Sequence, residues 1–168
     1  MAIAGINTEK IVEEYDTPVF VYDAEKIREE YRKLDQAFSS RYEDFQINYA
    51  VKANFNPSIA KVLVEEGAGL DCASKAEIKL ANELDVEDLM YTAPYNRKHE
   101  IEYALDHEAT INLDSVFLLD KIDELPEKIC FRIDPGIGSG DHGLVFGGGD
   151  TKFGVPEERA VEAYRKAK

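Results

Sequence analysis

The chain has 168 residues, enough for one domain with a real core. It carries 34 acidic against 20 basic residues, a net charge of -14, which repels polyphosphate and argues against nucleic acid as a partner. No apolar stretch approaches the length of a membrane span, and Met1 to Asn7 is too short, and lacks the basic flank, for a signal peptide. Helix and strand signals then alternate along the chain. Thr8 is placed to cap a short helix to Tyr15, and Val19-Phe20-Val21-Tyr22 is a strand-like run behind Pro18. Asp23 is placed to cap a helix from Ala24 to about Ser39, whose apolar Ile27, Tyr31, Leu34 and Phe38 recur at spacings of three and four.

The segment Phe45 to Val51 is rich in strand formers and ends on Lys52, with the turn formers Asn54-Phe55-Asn56-Pro57 behind it. A helix is expected over Pro57 to Glu66, with Pro57 in its first turn and Gly67 past its end. A brief strand around Leu70 ends at Asp71, and Ser74 opens a helix from Lys75 to Glu83. The pattern repeats as a strand over Asp88 to Thr92, a helix capped by Asn96 to about His107, and a strand over Thr110 to Leu113. Ser115 opens a helix to about Asp123, Ile129 to Ile133 is a strand, a long loop reaches Gly154, and Pro156 begins a last helix. This alternation implies βα units on a parallel sheet, with five core strands counted from the one that carries Lys52. An open doubly wound sheet and part of an eight-stranded barrel both fit, although no glycine-rich dinucleotide fingerprint follows the first strand.

Lys52 is the first candidate for chemistry. A lysine where a strand ends is held on a rigid element, and a primary amine there is suited to capture a carbonyl. The default for such a lysine is a solvated charge, so its neighbours decide. Cys72 and Cys130 are far apart and form no metal-type pair, which suits two buried thiols in a reducing cytoplasm. No metal site is expected. Gly147-Gly148-Gly149 lacks the lysine-serine pattern of a nucleotide loop and is read as a hinge.

Four segments together resemble the barrel of the fold-type III pyridoxal-phosphate decarboxylases, and within them the diaminopimelate decarboxylases. They are Thr17-Pro18-Val19-Phe20-Val21-Tyr22-Asp23, Tyr49-Ala50-Val51-Lys52-Ala53-Asn54, Gly67 to Ile78, and Arg132-Ile133-Asp134-Pro135 with Lys152-Phe153-Gly154 behind it. The resemblance runs from about Thr17 to the end of the chain, and covers less than half of the family's usual length. It implies an α/β fold, a partial (β/α)8 TIM barrel of the alanine racemase-like type with about five of eight strands present. Residues 1–168 would then be the amino-terminal part of the cofactor domain, without the later barrel strands and the β domain.

The same resemblance implies the cofactor, pyridoxal 5'-phosphate, and the roles of single residues. Lys52 matches the lysine that carries the cofactor. Asp71 matches an aspartate close to that lysine, and Arg132 an arginine near the cofactor ring. Glu77 matches a glutamate on the following helix, either a neighbour of the site or the partner of an arginine. His142 matches a histidine in a loop near the site entrance. The implied activity is decarboxylation of meso-2,6-diaminopimelate to L-lysine in the cytoplasm, by a homodimer acting on a small amino acid. Segments that bind the phosphate and the substrate carboxylates lie outside this chain, so it is expected to be inactive alone. An ornithine, arginine or carboxynorspermidine decarboxylase of the same fold, and a truncated barrel without catalysis, are the other readings.

Overall fold

The computed structural model describes residues 2–137 and 153–168. A small hairpin of β1 (Ala2–Ile3) and β2 (Ile6–Asn7) leads into α1 (Thr8–Tyr15). The cap of α1 is Asn7 rather than Thr8, its side chain accepting from the Glu9 N–H at 3.1 Å. Residues 17–23 then run to α2 (Ala24–Ser39) without forming a strand, so the expected Val19-Tyr22 strand is absent. Asp23 caps α2 by accepting from the Lys26 N–H.

The centre of the molecule is a sequence of βα units: β3 (Asn48–Ala50), α3 (Pro57–Glu65), β4 (Gly69–Cys72), α4 (Lys75–Glu83), β5 (Leu89–Thr92), α5 (Lys98–Leu105), β6 (Thr110–Leu113) and β7 (Ile129–Phe131). The short β8 (Ile133–Asp134) pairs with β9 (Val155–Pro156), and α6 (Ala160–Lys166) follows. The five central strands are parallel and lie in the order β3-β4-β5-β6-β7. Each strand therefore lies beside the next in sequence, with no reversal. A doubly wound sheet needs a reversal at its switch point and a barrel does not, so this is the order of consecutive barrel strands.

Alternation along the strands sorts the two faces of the sheet. Leu70, Cys72, Tyr91, Ile111 and Leu113 are buried and form one core with Ile78, Leu80, Ile101 and Ala104 of α4 and α5. Asp71, Met90, Thr92, Thr110 and Asn112 alternate with them and are half-buried on the other face. The helix side is thus apolar, and the inner side carries the polar groups near the strand ends.

Helix α2 is held against α3 by charge as well as by packing. Arg32 grips Glu66 with two bonds of 2.5 and 2.7 Å, and Arg28 reaches both Glu66 and Glu65. Ile27 and Tyr31 pack beneath them on Ile59, Leu63 and Ala68. Two glycines are required by close approach. At Gly69 a Cβ would come within 2.1 Å of Asn48 Oδ1 and 2.6 Å of the Asp88 carbonyl oxygen. At Gly154, φ is +85°, and a Cβ would lie 2.9 Å from the Asp134 nitrogen.

Some expected elements are shorter or differently made. The strand expected from Phe45 is confined to Asn48–Ala50, because Val51–Ala53 turns into a 3-10 helix closed by the Asn54 N–H on the Val51 carbonyl. Asn96 is not a helix cap: it is buried, and its amide donates to the Ala93 carbonyl at 2.8 Å. Arg97 starts α5 instead, with its N–H on the Glu100 carboxylate. Val116–Lys121 is a 3-10 helix, not an α-helix to Asp123, and Pro156 lies in β9 rather than at the start of α6.

Candidate active site

Lys52, Asp71 and Arg132 all lie at or just beyond the carboxyl ends of their strands, the end at which barrel enzymes carry their chemistry. Lys52 sits on the 3-10 turn directly after β3, with its side chain exposed. Ala50, two residues before it, is the register partner of Asp71. The site is therefore assembled by adjacent parallel strands, each ending in a turn that frees one polar side chain.

Asp71 is half-buried, and its Oδ1 is fully buried with no hydrogen-bond partner among the described residues. Burial raises its pKa above the ordinary carboxylate value, while the neighbouring Thr92 hydroxyl and the charge of Lys52 act in the opposite direction. An acceptor without a donor is a costly arrangement in a folded protein. Asp71 lies on the strand beside the one that leads to Lys52.

Glu77 is buried on α4 and holds the turn behind Asp71. Its carboxylate accepts from the Ala73 N–H, and Ser74 Oγ accepts from the Glu77 N–H at 3.3 Å. This reciprocal pattern fixes the chain between β4 and α4. Among the described residues, the side-chain partner that Glu77 shows is this backbone N–H.

Arg132 marks a crossing in the chain. Its N–H still bonds the Leu113 carbonyl of β6, while its own carbonyl accepts from the Val155 N–H at 2.7 Å. The strand expected over Ile129–Ile133 is therefore two short strands that pair with different neighbours. The Arg132 guanidinium meets the buried Asp114 carboxylate at 3.4 Å and lies 4.8 Å from the centre of the Phe153 ring. Gly154, at its positive φ, brings this segment against the Arg132–Asp134 backbone. Two sequence segments about twenty residues apart thus meet around one arginine.

The sequence reading did not single out Asp114, Thr92 or Asn112. Asp114 had a signal: it follows the apolar strand β6 and precedes a serine, as Asp71 lies near the end of β4 ahead of Ser74. His142, Lys152 and Gly147-Gly148-Gly149 lie outside the described residues. An apolar cavity of about 680 Å³ lies between α2 and the β3 edge, lined by Tyr22, Ile27, Tyr31, Leu34 and Tyr49 among others. None of Lys52, Asp71 and Arg132 lines it. Among the described residues no His, Cys, Asp and Glu side chains cluster as metal ligands, and no helix is long and apolar enough to cross a membrane.

Residues 24–168 match the family model described as "Pyridoxal-dependent decarboxylase, pyridoxal binding domain". The chain is 41% identical over 173 residues to a diaminopimelate decarboxylase of Methanothermobacter thermautotrophicus, covering 99% of this chain and 40% of that protein. It is 35% identical over 170 residues to a diaminopimelate decarboxylase of Thermoplasma acidophilum, covering 99% of this chain and 42% of that one. The crystal structure of diaminopimelate decarboxylase from Helicobacter pylori complexed with L-lysine superposes with a TM-score of 0.86 at 30% identity, over 95% of this chain and 42% of that chain. The chain thus spans about two-fifths of the length of the curated relatives it matches.

Proposed function

The chain belongs to the pyridoxal-dependent decarboxylases, residues 24–168 being their pyridoxal-binding domain, and from this premise we propose that it is the amino-terminal part of a diaminopimelate decarboxylase. The reaction is the conversion of meso-2,6-diaminopimelate to L-lysine, in the cytoplasm, by a homodimer. The substrate reading is supported by the relatives at 41% and 35% identity, both described as diaminopimelate decarboxylases. Residues 1–168 supply the lysine-bearing strands of the barrel domain, and the rest of the barrel and a β domain supply the other contacts.

The observation that carries the reading is the exposed Lys52 amine at a strand end next to the strand of Asp71, whose buried Oδ1 has no hydrogen-bond partner among the described residues. These groups fit pyridoxal phosphate: an amine suited to its aldehyde, a carboxylate with an open acceptor, and a guanidinium held on the same side of the sheet. When bound, the cofactor supplies a conjugated ring that takes up the electron pair left by loss of the substrate carboxylate. Lys52 would hold it by its amine. Asp71 offers a fixed acceptor at Oδ1 on the neighbouring strand. Arg132 is oriented by Asp114 and the Phe153 ring, so that its planar cation is presented without a large loss of rotamer freedom. Glu77 keeps the turn behind Asp71 closed.

The test is to add pyridoxal phosphate to the purified chain, reduce with borohydride, and locate the modified residue by peptide mass spectrometry. Stoichiometric modification of Lys52, lost in Lys52→Ala, is expected. Scattered modification of many lysines overturns the assignment. In the same preparation, release of carbon dioxide from meso-2,6-diaminopimelate is expected to be absent or at trace level. Ordinary turnover by this chain alone overturns the division of the site between its segments.

A further inference from the structure

We infer that the cavity between the 3-10 helix after β6 and the segment that enters β9 is a binding site for a small phosphate-type oxyanion. It has a volume of about 290 Å³ and is lined by Ser115, Phe117, Gly154, Pro156, Arg159 and Lys166 among others. None of Lys52, Asp71 and Arg132 lines it, so this site does not depend on the reading of those residues.

Charge selects the ligand. With 34 acidic against 20 basic residues, a surface cavity of this chain is expected to be acidic. The cavity beside the starts of β4 and β5 follows that expectation with Glu65, Asp85, Glu87 and Asp88. The one beside α5 follows it with Glu102, Asp106, Asp123 and Glu124 around one lysine. The Ser115 cavity reverses it: among the described residues its charged lining is Arg159 and Lys166, with no carboxylate. Two cations around one concave space raise the local concentration of an anion.

The donors are available. Arg159 gives Nε and Nη2 to Glu162 at 3.1 and 3.4 Å, which leaves Nη1 to give elsewhere. Lys166 gives one bond, to Asp120 at 2.9 Å, and an ammonium has three hydrogens. The Glu162 and Asp120 side chains are 66% and 69% exposed, and pairs so exposed hold weakly and exchange readily. Ser115 makes no side-chain bond to the 3-10 helix it opens, which leaves its hydroxyl to donate into the cavity. A guanidinium, an ammonium and a hydroxyl together suit a tetrahedral oxyanion, whose oxygens accept from several directions. The volume is several times the ~30 Å³ that one water takes up in the liquid, so the anion enters with water around it. Free phosphate and the phosphate end of a small ester share this chemistry.

The place in the fold gives binding a second readout. Ser115 follows Asp114 and Gly154 follows Phe153, the two residues that meet Arg132. An anion held here ties those two segments together, and a ligand that binds only the folded chain raises its Tm.

The experiment is an amide NMR titration of the full ¹⁵N-labelled chain with sodium phosphate, with glycerol phosphate and, at matched ionic strength, with sodium chloride. Saturable movement of the Ser115 and Gly154 amides is expected with phosphate and not with chloride, together with a rise in Tm. The double variant Arg159→Gln, Lys166→Gln is expected to bind at least about tenfold more weakly, from the loss of charged donors, and to lose the rise in Tm. Tighter binding of the ester identifies a phosphorylated metabolite as the occupant, and equal or weaker binding identifies free phosphate. Movement that does not saturate, that chloride reproduces, or that survives the double substitution overturns the proposal. Should the double variant fail to fold, Lys166→Gln alone is read by the same criterion, with a loss of several-fold expected and an unchanged affinity overturning it. The titration needs no pyridoxal phosphate, so its failure leaves the assignment of Lys52 untouched, and scattered trapping at Lys52 leaves this site untouched.

Discussion

Replacing Gly69 by alanine tests whether close packing of β3 on β4 fixes the site. The added Cβ would stand 2.1 Å from Asn48 Oδ1 and 2.6 Å from the Asp88 carbonyl oxygen. Asn48 is the register partner of Gly69, and the Asp88 carbonyl accepts from the Leu70 N–H at 2.9 Å, so neither neighbour is free to move alone. Asn48 could swing away only by giving up its bond of 3.3 Å to the Asp88 carboxylate. Overpacking costs about 2 kcal/mol and the lost hydrogen bond about 1. The reduced freedom of the unfolded alanine chain returns roughly 0.5–1 kcal/mol. The net destabilisation is about 2 kcal/mol, or a fall in Tm of about 4–8 °C for a chain of this size. Thermal melts followed by circular dichroism measure it. The double variant Asn48→Ala, Gly69→Ala relieves the closer contact and is expected to recover part of the loss. A Tm for Gly69→Ala equal to that of the parent would refute the reasoning, because the strand would then have room that the backbone does not show.

Two further outcomes are expected. Arg32, and to a smaller extent Arg28, hold the Glu66 carboxyl below its ordinary value of 4.5 against the opposing effect of burial. A depressed folded value gives stability that is present above the unfolded pKa and is lost as pH falls through the folded one. Glu66→Gln should therefore lower Tm near neutral pH, and converge with the parent once the pH has fallen through the depressed folded value; a difference that persists in strong acid would contradict it. Cys72 is buried and its thiol is pushed up to about 12 by burial first and by Glu77 and Asp71 second, whereas Cys130 is only partly buried. Iodoacetamide at about pH 8 should alkylate Cys130 in the native chain and reach Cys72 only after denaturation; equal native rates would disprove the packing of β4 against α4.

Much of the fold was legible because local chemistry repeats. Ser74 and Asp23 cap the helices that the pattern places behind them, and α4 and β6 have the bounds that the periodicity predicts. Lys52 and Asp71 stood out because each ends an apolar run with a charge. Asn96 misled for a physical reason. An asparagine before a helical pattern suits a cap, but the loop behind β5 takes the Asn96 amide to close on Ala93. The Arg132 strand misled for another. Its apolar run is continuous in sequence, while its hydrogen bonds pass from β6 to β9 at Arg132 itself.

The sequence by itself determined the order of the central strand and helix units, the polar residues at the strand ends, and the resemblance that brings in pyridoxal phosphate. The alternation of strands and helices fits an open sheet and a barrel alike, and it was the resemblance that implied the barrel. The tertiary structure supplies the physical reason, a strand order without reversal. It also decided the partnerships that make the site: Arg132 with Asp114 and Phe153, and Asn112 with Thr92. These residues lie on different strands and loops, and the hydrogen-bonded register that joins them is fixed only when the whole sheet packs against its helices.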